Sequence, residues 1–211
     1  MESFLKYIFM ITRIILLLLI VFSYSCEEKK KFFDKNLTEY QNQVNEYFSD
    51  ASVSPLKQRD LKNFQGLNFF EFDSSYIVTA KIIQTPNELP FKMKTTIGGP
   101  ADYRKYGNLI FKIINREFKL SVYENLKYED VRGYENYLFL PFLDKTNGKE
   151  TYGGGRYLDL YLDNKDSIII NFNRAYNPKC VYNEDYSCPI VPRENFIDIR
   201  IKAGVKDFIK N

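Results

Sequence analysis

The sequence contains no histidine and no tryptophan, and only three of its 211 residues are cysteine. Without imidazole, Ser-His-Asp and Cys-His nucleophile pairs, His-ligated zinc or iron and imidazole general bases are all excluded. What remains is carboxylate, lysine or tyrosine chemistry, or none. An excess of charge is missing as well. Lys and Arg number 30 against 27 Asp and Glu, a net +3 spread along the chain, whereas a nucleic-acid surface shows as a basic patch or stripe. No nucleic-acid partner is expected. Internal repeats and low-complexity tracts are also lacking. The balance that is present, 45% hydrophobic and 27% charged with 17 Tyr and 18 Phe, is that of a globular chain.

Residues 1–25 read as a targeting segment. Lys6 and Arg13 supply positive charge, Ile14 to Phe22 is an unbroken apolar run, and Ser23-Tyr24-Ser25 leads into Cys26. The pattern resembles a bacterial lipoprotein signal peptide, which implies acylation of Cys26, a membrane partner through that N-terminal lipid, and a place in the cell envelope, outer-membrane, periplasmic or surface-facing. A spanning anchor from Phe4 to Tyr24 is the competing reading, since about 20 apolar residues cross a bilayer, but two charges fall inside that window. Residues 26–35, with Glu27-Glu28-Lys29-Lys30-Lys31, are then a polar tether. The acidic pair resembles the surface-export signals of some Gram-negative lipoproteins, and a solvated linker has the same composition.

Residues 36–211 read as one mainly β domain, an antiparallel sandwich or barrel, with one or two helices at its start. Leu37, Tyr40, Val44 and Tyr47 recur at helical spacing behind a capping-box pattern at Asn36 and Glu39, and Ser54-Pro55 is a second helix-start signal. From Gly66 onward the period changes to two. Strands are predicted near Leu67–Phe72, Tyr76–Ile83, Phe91–Ile97, Gly107–Ile113, Phe118–Tyr123, Tyr137–Phe142, Arg156–Leu162, Ser167–Asn173 and Phe196–Lys202. Turn residues separate them at Asn115-Arg116, Asn147-Gly148 and 163–166.

Two long stretches carry a more specific signal. One runs from Phe139 to Asp159 and includes Asp144, Thr146, Gly148, Glu150, Thr151, Tyr152 and Arg156. The other runs from Asn171 to Asn195 and includes Asn173, Arg174, Tyr176, Asn177, Pro178, Cys180, Cys188 and Glu194. With Phe64–Leu67 and Ala203-Gly204 they resemble the domain of unknown function 1684 family of bacteria and archaea, over most of the mature chain. Asn171 stands where the family's motif has aspartate, and Val205 where its Ala-Gly run ends in glutamate. The resemblance implies no activity, cofactor or substrate.

The residues themselves define the candidates. Asp144, Thr146 and Glu150 precede Gly153-Gly154-Gly155-Arg156, a loop whose amides and guanidinium suit an anionic or carboxylate-bearing ligand. Equally, Arg156 pairs with Asp144 or Glu150 and merely braces the turn. Asn173, Tyr176, Asn177 and Glu194 either line a polar cleft or satisfy turn backbone. In an oxidising compartment Cys180 and Cys188 are expected to form a disulfide, worth about 2.5 kcal/mol in the chain-entropy model. A metal site there would need Glu184 and Asp185 beside two thiolates, an unusual set, so no metal or cofactor is expected. Three functions stay open: binding of a small polar or anionic ligand or a surface partner; hydrolysis, for example of glycans, by a pair drawn from Asp144, Glu150, Asp159 and Glu194; and a purely structural envelope module.

Overall fold

The computed structural model describes residues 35–163 and 166–209. The segment read as a signal peptide, Cys26 and most of the stretch read as a tether lie outside them. Residues 1–41 and 42–211 cluster as separate units, and the second holds the β structure. A helix, α1, covers 35–49, so Asn36 is already helical. Ser54 starts no helix: its hydroxyl donates to Phe48 O at 2.6 Å and accepts the Leu56 N–H at 3.2 Å, closing a turn ahead of the single-turn α2 (Gln58–Leu61).

The fold is mainly antiparallel β, built on one curled half-barrel sheet. Its strands are β1 (Ile77–Gln84), β2 (Phe91–Met93), β3 (Ala101–Ile113), β4 (Arg116–Asn125), β5 (Tyr137–Asp144), β6 (Arg156–Tyr161), β7 (Ser167–Asn171) and β8 (Phe196–Ile197). The order is β6-β5-β4-β3-β1-β7, with β2 added to β3 and the short β8 running parallel to β5. The β3–β4 turn falls at Ile114-Asn115, both at positive φ, one residue ahead of the position predicted from Asn115-Arg116. Asn tolerates that conformation; β-branched Ile114 adopts it where its side chain is exposed.

Period-two patterning splits β5 and β6 between two apolar layers. Leu138, Leu140, Phe142, Leu158 and Leu160 point into the main core with Leu109, Leu120, Ile170, Phe172 and Ile201. Tyr137, Phe139 and Tyr157 point the other way, into a cluster with Met93, Tyr103, Tyr123, Tyr176 and Val191. Burial of each such side chain stabilises the fold by about 1.5–3 kcal/mol. Cross-strand neighbours share a face, so the register Tyr123↔Phe139↔Asp159 sets Asp159 in the aromatic row.

Three predicted strands lose most of their length, while β6 and β7 end only one and two residues early. The segment Leu67–Phe72 keeps one bridge, Phe69↔Val205. Phe91–Ile97 becomes β2 and a bridge at Thr95. Phe196–Lys202 keeps two strand residues: past them Ile199 O still accepts the Lys145 N–H at 3.0 Å, but Ile201 O is taken by a buried arginine side chain instead of a neighbouring strand.

Candidate functional site

Arg156 opens β6 and is fully buried with Asp144, the last residue of β5. Its Nη2 donates to Asp144 Oδ2 at 2.9 Å and to Ile201 O at 2.8 Å, while Nη1 donates to Ala203 O and, at 3.3 Å, to Val205 O. The guanidinium also lies 5.3 Å from the Phe142 ring centroid. Asp144 Oδ1 accepts the Thr146 and Ile201 amides at 2.7 and 3.1 Å, and the Thr146 and Thr151 hydroxyls bond each other at 2.8 Å. Gly155 makes the entry into β6 feasible: φ is +92° and a Cβ would sit 2.6 Å from Phe142 O. Of the two sequence readings of this motif, the bracing ion pair is the arrangement found, and it ties the C-terminal segment to the sheet.

Glu150 projects outward from the same loop and pairs with Arg200 and, at 3.6 Å, Lys202. The Arg200 hydrogen bond is the main reason its carboxyl lies below the ordinary carboxylate range. Such an exposed pair contributes under about 1 kcal/mol. Glu150→Gln is accordingly expected to leave the urea midpoint nearly unchanged at pH 7. The small contribution that exists is present above the unfolded carboxylate range and disappears as pH falls through the depressed folded value.

Asn173 is buried beside Asn171, and its carboxamide both donates to Asp73 O at 2.9 Å and accepts the Asp73 N–H at 3.1 Å. Buried Asn177 donates to Lys206 O at 2.9 Å. Both hold backbone, the second of the roles read from the sequence. Asn195, inside the motif but not singled out there, spends its whole carboxamide on backbone: it accepts the Ser121 N–H at 2.8 Å and donates to Ser121 O and Pro141 O, each at 2.7 Å.

Tyr176 belongs to a different cluster. Its hydroxyl donates to Asp159 Oδ1 at 2.7 Å, and the Tyr137 hydroxyl donates to the same oxygen at 2.8 Å. Oδ2 receives no hydrogen bond from the described residues, and Asp159 is exposed at the foot of the tyrosine row. Desolvation by the surrounding protein raises the Asp159 carboxyl, outweighing the two phenolic bonds that act to lower it. Desolvation, reinforced by the charge of Asp159, also raises the Tyr137 phenol, which therefore stays protonated as a donor. Glu194, exposed, accepts from Tyr123 at 3.0 Å. Asp159 and Tyr123 flank Phe139 on one face; Asp144, Thr146 and Arg156 brace the other. The sequence candidates thus divide: Tyr176 bonds Asp159, Glu194 bonds Tyr123 across Phe139 from it, Asp144, Thr146 and Arg156 form the buried brace, and Glu150, Asn173 and Asn177 hold partners elsewhere.

Tyr137 also lines a cavity of about 140 Å³ with Tyr128, Tyr134, Glu124, Glu129 and Arg104. Tyr128 and Tyr134 stack at 4.5 Å, and the Tyr137 ring meets each edge-on at 5.9 and 5.4 Å. Arg104 is held by Glu124 at 2.8 Å and Glu129 at 3.0 Å, so the wall is aromatic and net acidic.

Cys180 and Cys188 are free thiols, and the Cys180 N–H donates to Cys188 Sγ at 3.0 Å. The interaction between the two thiols is the main cause that lowers the Cys180 thiol to about 7 and raises the Cys188 thiol. Among the described residues no group of three or more Cys, Asp or Glu could hold a metal ion.

Among solved structures the chain is similar to an uncharacterized protein of Haloarcula marismortui determined in solution by NMR. The two share 27% identity with a TM-score of 0.66, over 85% of this chain and 96% of that one. No curated protein matches the chain. The family model described as protein of unknown function DUF1684 matches residues 62–206, a span that contains all eight strands, the Arg156 brace and the tyrosine row. The chain therefore belongs to the DUF1684 family.

Proposed function

We propose that this protein is a lipid-anchored envelope lipoprotein whose β domain binds a small polar ligand at the tyrosine-lined face around Asp159. One observation carries the reading: a carboxylate with one oxygen fixed by two phenols and the other open to a donor, set beside an aromatic-walled cavity. The signs of charge select the ligand. Asp159, Glu124, Glu129 and Glu135 face this region, and its one arginine is already paired, so a ligand rich in hydroxyl or ammonium donors fits better than an anion. Ring faces complement the C–H surfaces of a sugar or the charge of an ammonium group. Export rests on the residues around Cys26, and Cys26→Ser should abolish lipid labelling.

Asp159→Asn is expected to reduce affinity at least tenfold for whichever polyol, sugar or amine from a panel raises the melting temperature of the wild type. Tyr137→Phe and Tyr176→Phe should each weaken it less. The wild-type affinity should rise with pH through the raised Asp159 midpoint, since the ionised form accepts the ligand's proton. The same elevation has the opposite sign for stability: the contribution from Asp159 is full below the unfolded carboxylate range and lost as pH climbs through the folded value. A panel in which nothing shifts the wild type, or an Asp159→Asn variant that binds as well as wild type, contradicts the site. A hydrolytic reading is favoured by the same elevated carboxyl, which suits a general acid. It predicts turnover that Asp159→Asn stops.

A further inference from the structure

The side of the sheet that faces away from the main core is covered only in part. Met93, Tyr103 and Val191 pack there with Tyr123, Phe139 and Tyr157, and among the described residues no member of that layer comes from β1 or β7. On β1 alternation turns Thr79, Lys81 and Ile83 outward, with Ala80 and Ile82 buried on the core side. Cross-strand pairing extends the uncovered area. Lys81 lies between Ser167 and Ile110, and Ile110 between Lys81 and Lys119; Ile169 and Lys112 flank this row on one side and Ile83 on the other.

Two features separate this area from an ordinary solvated sheet face. Outward positions of an antiparallel sheet are expected to be polar, yet Ile83 is 48% exposed and Ile169 61%. The charge is also of one sign. At the outward positions of β1, of β7 and of residues 108–112 and 117–121 in the β3–β4 hairpin, the charged residues are Lys81, Lys112 and Lys119 against a single acid, Glu117. None of the three lysines makes an ion pair with a described residue, although Lys112 stands directly opposite Glu117. Exposed Lys92, Lys145 and Lys202, elsewhere on the domain, each reach a carboxylate.

Exposed isoleucine interleaved with lysine complements a partner that is anionic at its surface and apolar just beneath. Lysine stems can lie along the isoleucines while their ammonium groups reach outward. A second copy would set lysine against lysine, and a nucleic-acid backbone would set phosphate against isoleucine. We propose that the outer face of β1 and the β3–β4 hairpin docks on an anionic lipid bilayer, with Lys81, Lys112 and Lys119 at the headgroup phosphates and Ile83, Ile110 and Ile169 at the boundary of the acyl chains. The acidic tyrosine face lies on β5 and β6, at the opposite end of the strand order, and the same lipid charge repels it. Docking therefore orients the domain with its ligand site away from the bilayer. The inference goes beyond the ligand site and stands or falls apart from it; a lipid on Cys26 would only keep the face within reach.

The chain has no tryptophan, so one substitution supplies a unique fluorescent probe. Full-length Ile83→Trp and, as reference, Tyr161→Trp on β6, where Tyr161 is 54% exposed, are reconstituted into phosphatidylcholine vesicles with brominated acyl chains, with or without phosphatidylglycerol. With phosphatidylglycerol, Ile83→Trp emission should shift to the blue and be quenched about twofold or more, as expected of a side chain at the acyl boundary, while Tyr161→Trp keeps the emission of a water-exposed indole. Adding Lys81→Glu with Lys119→Glu to Ile83→Trp should remove most of the quenching without lowering the melting temperature, because both lysines are exposed. Salt near 1 M, where the Debye length falls to about 3 Å, should do the same. Equal quenching of the two probes, or quenching of Ile83→Trp that is as strong without phosphatidylglycerol, overturns the proposal. A blue shift that grows with protein concentration and is insensitive to brominated lipid assigns the face to a second copy and overturns it as well.

Discussion

Arg156→Met is expected to destabilise the domain by about 3–5 kcal/mol, the cost of leaving one member of a buried ion pair without its partner. For a domain of this size that corresponds to a fall in melting temperature of about 10 °C or more. The reason lies in what the guanidinium holds. Asp144 is fully buried with it, and the carbonyls of Ile201, Ala203 and Val205 all accept from it. Methionine fills much of the volume but donates nothing, so a carboxylate and three carbonyls lose donors at once. Replacing both members, Asp144→Leu with Arg156→Met, removes the orphaned charge and should recover part of the loss. Recovery stays incomplete because the carbonyls of 201–205 remain, along with the Thr146 and Ile201 amides that Asp144 accepts. Urea denaturation of the three variants measures this directly. An Arg156→Met midpoint within error of wild type would sink the account.

That brace shows where sequence pattern stops. Strand periodicity marks β5 and β6 clearly, because Leu138, Leu140, Leu158 and Leu160 alternate with tyrosine and phenylalanine. The same pattern marks β1, β4 and β7 to within two residues, and the C-terminal half of β3, whose first six residues, 101–106, it leaves out. It overextends Phe196–Lys202, where alternation is real but the backbone partner is a side chain from another strand. It also overextends Leu67–Phe72, which is fixed by the Phe70 amide on Gly204 O at 2.9 Å and the Lys206 amide on Asn68 O at 2.8 Å. Contacts between segments more than a hundred residues apart leave no local periodic trace.

For the site, the two motifs were visible and their division was not. Parity could have separated them: Arg156 and Asp159 are three residues apart on one strand and so face opposite sides of it. That arithmetic puts the Arg156 brace against the aliphatic core and Asp159 among the tyrosines. The phenols that hold Asp159 come from β5 and from the turn at Tyr176, a meeting set by strand pairing and by the bridge Tyr157↔Tyr176. The acceptor was named among the carboxylates, but nothing in the residue order distinguished it from Glu194 or Glu150.

Asn195→Ala is the second large effect expected, a loss of about 3 kcal/mol or more, and its cause begins with a proline. Pro141 sits in the middle of β5, where it has no N–H to offer the neighbouring strand. The pairing of β4 with β5 is reduced to Tyr123↔Phe139. Beyond that pair the Asn195 carboxamide takes the place of the ladder, accepting the Ser121 N–H and donating both protons, one to Ser121 O and one to Pro141 O. Asn195 is fully buried, so alanine leaves three backbone groups without partners, each costing about 1–3 kcal/mol before relaxation. Asn195→Asp should be as damaging, since its oxygens would face two carbonyls. Hydrogen exchange supplies the local check: the Ser121 amide should exchange much faster in Asn195→Ala, while the Leu109 and Leu120 amides, paired between β3 and β4, change only as far as global stability falls. Unchanged protection at Ser121 would mean that β4 and β5 are held together by something other than this side chain.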